Sequence, residues 1–273
     1  RRAPRVGLPC AAMEWLEAIV LGVVQGLTEF LPVSSSGHLV LTQDLLGYTP
    51  GGGIVFEVAV HLATLVAIAL FYRVRVSSLL LGALKGQADA WRYAMKLVVA
   101  TLPAVAVALL ARDFIESQFE SPTVAAALLL VTGFIVWSTR WTITRGESIE
   151  PTWTQALIIG CAQAFAILPG ISRSGTTVAT AMALGMAPLA AAEFSFMMGI
   201  IAMAGAAVLL LPDILNADAS LLGSIMAGSI AALVSGLAAL VAFVWLLKTQ
   251  RIYVFARYAW GAGLAYLTYL YLR

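Results

Sequence analysis

Gln25-Gly26-Leu27-Thr28-Glu29-Phe30-Leu31-Pro32-Val33-Ser34-Ser35-Ser36-Gly37-His38 places a carboxylate, three consecutive serines and an imidazole inside an otherwise apolar region. Gln25 and Glu29 are four residues apart and so share one face of a helix, which Pro32 then ends, with a Ser/Gly turn behind it. A second stretch, Gln163-Ala164-Phe165-Ala166-Ile167-Leu168-Pro169-Gly170-Ile171-Ser172-Arg173-Ser174-Gly175-Thr176, repeats the design. Gly22 matches Gly160, Gln25 matches Gln163, Ser34 matches Ser172, and Ser36-Gly37 matches Ser174-Gly175, each at a separation of 138 residues. The chain therefore reads as two related halves.

With 61% hydrophobic residues, 11% charged residues and a mean hydropathy of +0.94, the composition is that of an integral membrane protein; soluble domains carry about 25% charged residues. A net charge of +2 argues against a nucleic-acid partner. Cys10 and Cys161 are the only cysteines, one near the start and one in an apolar segment, so neither a disulfide framework nor a thiolate metal site is indicated. Residues 1–12 do not continue the apolar pattern and read as an extension ahead of Met13. A cleavable signal peptide is disfavoured, because the following apolar run contains Glu17, Gln25 and Glu29.

After the first motif only His38 to Leu46 remain before Gly47 and the Pro50-Gly51-Gly52-Gly53 loop. So short a helix rises roughly 14 Å, half of a ~30 Å hydrocarbon core. The expected structure is a re-entrant helix-turn-helix whose tip lies near the midplane, buried in protein or lining a wet cavity. The second motif has the same form, with limbs Trp153 to Leu168 and Thr176 to Leu184. Six longer apolar segments remain, three after each motif, near 54–72, 93–111, 123–139, 187–211, 220–247 and 252–272. Three spans per half require the halves to be inserted in opposite directions. The predicted fold is thus an all-α polytopic membrane protein of inverted repeats: one domain over 13–273, with halves at about 13–145 and 146–273, six spanning helices and two re-entrant pairs.

The positive-inside rule puts the basic connections 73–92, 140–151 and 248–251 in the cytoplasm. The connections that hold Asp113, Glu116 and Glu120, and then Asp213 and Asp218, fall outside. Within apolar surroundings stand Glu29, Glu57, His61, Arg173, Glu193 and Arg257, each costly there and each expected to have a partner. Glu57 and His61, spaced i, i+4, fit either a site or a brace between helices. Arg257 fits a snorkelling side chain. Glu193 matches Glu57 in its distance from its motif, or else bonds Ser195 nearby. Ser172-Arg173-Ser174 offers a guanidinium, two hydroxyls and free N–H groups at a helix N-terminus, an anion site suited to phosphate. The opposite tip offers hydroxyls with His38 and Glu29, so that the two tips together hold a phosphoanhydride and supply a nucleophile and acid–base groups.

Gln25-x-x-x-Glu29, Pro32-Val33-Ser34-Ser35-Ser36-Gly37-His38 and Pro169-Gly170-Ile171-Ser172-Arg173-Ser174-Gly175-Thr176 resemble the motifs of the bacitracin-resistance family of undecaprenyl-pyrophosphate phosphatases. The resemblance runs from about Met13 to the C-terminus, through Phe56-Glu57, Glu193-Phe194-Ser195-Phe196 and Tyr253-Val254-Phe255-Ala256. It implies a multi-pass protein of the bacterial plasma membrane that removes one phosphate from undecaprenyl diphosphate, regenerating the lipid carrier of cell-wall glycans. It also implies divalent-metal dependence and an active site open to the outer side. The family carries Glu or Gln at the first motif position, and Gln25 here removes one negative charge. Mapped onto this chain, the catalytic residues are Glu29, Ser35, His38 and Arg173, with Ser35 as nucleophile activated by His38 or Glu29; attack by metal-activated water is the alternative. Gln25, Ser34, Ser36, Ser172, Ser174 and Thr176 bind substrate. A diphosphate head of roughly −2 to −3 charge needs a cation besides Arg173; Glu29 with Gln25 as a neutral oxygen ligand suits Mg²⁺ or Ca²⁺. The expected partners are the polyprenyl diphosphate and membrane lipids, with a homodimer left open. A polyprenyl-phosphate flippase or transporter is the competing reading of inverted repeats with broken helices. Acid-phosphatase-like lipid phosphatases share Ser-Gly-His but need a histidine after Ser-Arg, and both His38 and His61 precede Ser172-Arg173.

Overall fold

The structure, a computed structural model, describes residues 10–46, 54–209 and 221–273. The expected Pro50 to Gly53 loop, Asp213 and Asp218, and all but the last residues of the 1–12 extension lie outside the described residues. Helices α1 (Cys10–Phe30), α2 (Ser35–Leu46), α3 (Ile54–Phe71), α4 (Arg73–Leu84), α5 (Ala88–Leu110), α6 (Arg112–Phe119) and α7 (Pro122–Ser138) come first in the chain. Then follow α8 (Trp153–Phe165), α9 (Arg173–Ala183), α10 (Pro188–Leu209), α11 (Leu222–Lys248) and α12 (Phe255–Leu272). Among the described residues there is no β-strand, only an isolated bridge between Ser148 and Met186. Among the described residues four helices are long and apolar enough to cross a membrane on their own: Ala88–Leu110, Pro122–Trp141, Pro188–Val208 and Leu222–Lys248. A fifth candidate is the pair Val55–Phe71 and Arg73–Leu84, bent by 82°. The remaining expected segment, 252–272, is helical as α12, but Arg257 and its tyrosines lower its hydropathy.

Helix bounds in the second half echo those in the first at the 138-residue offset: α2 corresponds to α9, α3 to α10, α5 to α11 and α7 to α12. The pairings cross between halves, for α1 lies along α11 and α8 along α5. Lipid-facing helices gain nothing from hiding leucine from lipid, so small residues that let backbones approach decide such contacts. Gly22 packs its Cα against the carbonyl of Gly228, and the matching Gly160 packs against the carbonyl of Ala100. A Cβ at Gly22 would overlap that carbonyl oxygen. Gly22→Leu should therefore destabilise the protein by about 1–3 kcal/mol, seen as a lower unfolding temperature in detergent.

The two helix breaks are built alike. In the first, Ser34 adopts φ 70° and its Oγ accepts from the Gly37 N–H at 3.3 Å. In the second, Ser172 caps α9, its Oγ accepting from the Gly175 N–H at 3.1 Å. Each capping serine also pairs with the serine two residues on, Ser34 with Ser36 and Ser172 with Ser174, both at 3.3 Å. The tips touch reciprocally: a Cβ at Gly37 would meet the Gly170 Cα at 2.8 Å, and one at Gly175 would meet the Pro32 Cβ at 3.1 Å. Gly170 has φ +97°, which a residue with a side chain rarely adopts. The second tip is pinned from α7, where the Thr132 hydroxyl donates to the Gly170 carbonyl at 2.6 Å and accepts from the Ser172 N–H at 2.9 Å. Behind the tips Phe30, Phe196 and Phe243 interlock edge to face, with centroids 5.7 and 5.3 Å apart.

Candidate active site

Where the tips meet lies a cavity of about 310 Å³. The first tip contributes Glu29, Ser34, Ser35 and Ser36, the second Ser172 and Arg173, and α3 contributes Glu57 and His61. Glu29 is the hub. Its Oε1 accepts from Arg173 Nη2 at 2.5 Å. Its Oε2 accepts from the Ser35 hydroxyl at 2.6 Å and from Gln25 Nε2 at 3.1 Å. His61 Nε2 stands 3.9 Å from the same oxygen. A carboxylate only 8% exposed would be prohibitive alone; four groups from three helices and the second tip compensate it. Arg173 is itself held in place, donating from Nη1 to the Ser195 carbonyl at 3.4 Å and packing against Gly199, where a Cβ would overlap the guanidinium.

Not every expected site residue faces this cavity. His38, expected to activate Ser35, turns the other way: its Nδ1–H donates to the Ser34 carbonyl at 2.8 Å, and its Nε2 accepts from the Tyr258 hydroxyl at 2.9 Å. The ring stacks on Tyr258 with a 10° tilt. The reason is periodicity: His38 is one helical turn beyond Ser34, on the α2 face toward α12, while Ser35 is on the face toward Glu29. Ser174 and Thr176 are buried and do not line the cavity, and the Thr176 hydroxyl has no partner in the structure. Gln25 is fully buried and reaches the cavity only through Glu29. Glu193 pairs with Arg75 at 2.8 Å, not with Ser195, which bonds Thr177 at 2.6 Å. Glu57 accepts from Gln43 at 3.1 Å, tying α3 to α2, and Arg257 is exposed.

Two cavity residues went unassigned in the sequence reading. His61 is the imidazole that faces Glu29, signalled by its place within an apolar segment and by its spacing from Glu57. Gln163 lines the cavity, is 3% exposed, and has no partner for either amide atom. Its match to Gln25 in the second motif was the available signal. An unpaired buried amide costs about 1–3 kcal/mol, a cost that a bound anion would offset.

Among the described residues no group of three or more His, Cys, Asp or Glu could hold a metal ion. What exists is one buried carboxylate, Glu29, beside the buried and unpartnered Oε1 of Gln25. Such a set is too small for the six to eight oxygens of a Ca²⁺ site, but it fits Mg²⁺ held mainly by substrate phosphates.

The family model Bacitracin resistance protein BacA matches residues 18–265. The chain belongs to this family. A protein from Desulforapulum autotrophicum named undecaprenyl-diphosphatase is 37% identical over 268 residues, covering 92% of this chain and 97% of the relative. Relatives of the same name from Desulfatibacillum aliphaticivorans and Alcanivorax borkumensis are 36% and 37% identical, over 92% and 94% of this chain and 97% and 100% of theirs. For the BacA family member described here, the matched range takes in both tips and every cavity group named above.

Proposed function

We propose that this chain is a membrane phosphatase that hydrolyses undecaprenyl diphosphate to undecaprenyl phosphate and inorganic phosphate, recycling the lipid carrier of cell-wall synthesis. The observation that carries the chemistry is the Ser35 hydroxyl donating to a Glu29 carboxylate that also touches Arg173, in one cavity. Ser35 Oγ attacks the terminal phosphorus while Glu29 Oε2 takes its proton. The bond from phosphorus to the bridging oxygen breaks, and undecaprenyl phosphate leaves with the electron pair. Water then hydrolyses the phosphoserine, releasing phosphate. Arg173, Ser34, Ser36 and Ser172 hold phosphoryl oxygens, and the Gln163 amide donates a further hydrogen bond. Glu29, with the unpartnered Gln25 Oε1 behind it, would be the protein's ligand to a Mg²⁺ whose other ligands come from the substrate, and such an ion would supply charge neutralisation at the diphosphate. His38 acts on α2 as a positioning residue through Tyr258.

The matched tips and helix bounds support one domain over 13–273 made of two oppositely inserted repeats, about 13–145 and 146–273, with six spans and two re-entrant pairs. Basic residues on the α4 side support a plasma-membrane orientation in which the cavity opens outward. Cysteines placed at Ser36 and Ser174 should crosslink across the tips with a short reagent.

The direct test is release of inorganic phosphate from undecaprenyl diphosphate by purified protein in detergent, with undecaprenyl phosphate as co-product. Excess EDTA should abolish turnover, and full activity in chelator would remove the Mg²⁺ role. Gln163→Leu separates binding from structure. If the amide serves only substrate, activity should fall by about tenfold or more, the worth of one hydrogen bond to a charged group, while the unfolding temperature holds or rises.

A further inference from the structure

The head cavity does not end at His61. A second cavity of about 220 Å³ shares Glu57, His61 and Met203 with it and runs on between α3 and α10, past Val58 and Leu62 on one side and Ala206 and Ala207 on the other. Val58 and Leu62 are i, i+4 on α3, and Met203 and Ala207 are i, i+4 on α10, so each wall is a single helix face. Beyond the Glu57/His61 threshold the lining side chains are apolar, and the two alanines keep the gap open. His61 is oriented at this threshold: its Nδ1–H donates to the Glu57 carbonyl at 2.7 Å, which leaves Nε2 on the side of Glu29. The Glu57 carboxylate is held from α2 by Gln43.

A rival passage exists. An apolar crevice of about 450 Å³ lined by α5, α6 and α8 residues such as Val107, Phe114 and Phe165 adjoins the head cavity at Ile167. It shares no polar group with that cavity. The α3/α10 groove shares two, which is what an amphiphile with a charged head and an apolar chain requires at the junction of the two parts.

We propose that the groove between α3 and α10 binds the isoprenyl chain of a polyprenyl diphosphate whose head occupies the Glu29/Arg173 cavity. The substrate then lies with its terminal phosphate at the tips and its lipid-linked phosphate beside His61. This rests on the phosphatase reading above and adds to it the direction in which the lipid enters and the product leaves.

The test uses the full chain in detergent and a polyprenyl diphosphate carrying a diazirine on its first isoprene units. Turnover of this probe by the unmodified protein is measured first; its absence would overturn the phosphatase reading and the groove with it. With turnover established, photolabelling is expected on Val58, Leu62, Ala206 or Ala207. Labelling confined to Val107, Phe114 or Phe165, or none on α3 and α10, overturns the groove and leaves the phosphatase reading standing. In parallel, Ala207→Trp should raise KM for undecaprenyl diphosphate by about tenfold or more with kcat little changed, the pattern of lost ground-state binding, whereas Val107→Trp should not. The reverse pattern refutes the assignment. Because the photolabelling needs no variant, a poorly folded Ala207→Trp protein cannot shield the proposal.

Discussion

Glu29→Gln is expected to lower kcat/KM by at least about 10³-fold while leaving a folded protein. Loss of one oriented catalytic group commonly costs about 10²–10⁴-fold, and here the same carboxylate has two tasks. Its Oε2 accepts the Ser35 hydroxyl and its Oε1 meets Arg173. Glutamine keeps the shape and can still accept one hydrogen bond, but it cannot take the serine proton and leaves the guanidinium without a counter-charge. The isostere matters for the test: both changes leave the Arg173 charge unpaired, which costs about 3–5 kcal/mol, but Glu29→Ala also opens a void and removes every hydrogen bond that glutamine can still make, and would confuse unfolding with lost chemistry. Ser35→Ala should give a similar loss, and the double variant Glu29→Gln/Ser35→Ala should be little worse than either alone, since groups acting as a unit are not additive. Near-normal turnover in Ser35→Ala would remove the serine as nucleophile and leave activated water. A phosphorylated Ser35 trapped by rapid acid quench would support the serine route directly.

Arg173→Lys should lose on the order of 10²-fold in kcat/KM, about 2.7 kcal/mol, with thermal stability little altered. The resting geometry makes this a sharp test, because Arg173 is a partner of Glu29 and so fits the role of a structural counter-ion. A lysine could keep that role as a point charge. It could not keep the rest of the arrangement: one nitrogen of the planar group serves Glu29 and another the Ser195 carbonyl, and the side chain lines the cavity together with Ser172 and Ser35. A planar fork can grip two phosphoryl oxygens at once, and an ammonium cannot. If Lys retains most of the turnover, Arg173 is a counter-ion only, and phosphate binding falls to Ser34, Ser36, Ser172 and Gln163.

Several parts of the molecule are local and were legible along the chain. Composition and the length of apolar runs identify a membrane protein, since the cost of burying backbone and charge in hydrocarbon leaves few alternatives. Pro32 and the Pro169-Gly170 pair break helices wherever they fold, and Ser34 and Ser172 cap the helices that follow by bonding an N–H three residues on. The 138-residue repeat is likewise a property of the string, as is the resemblance that the family match bears out. Which side chains meet is another matter. Glu29 and Arg173 are 144 residues apart, His38 and Tyr258 are 220 apart, and Arg75 reaches Glu193 from another helix. Helical periodicity gives the angle of a residue about its own axis, but not which neighbour fills that angle. That choice is made when small residues such as Gly22 and Gly160 select their partner helices. It is why His38, adjacent to the serines in sequence, turns toward α12, and why His61, remote in sequence, stands beside Glu29.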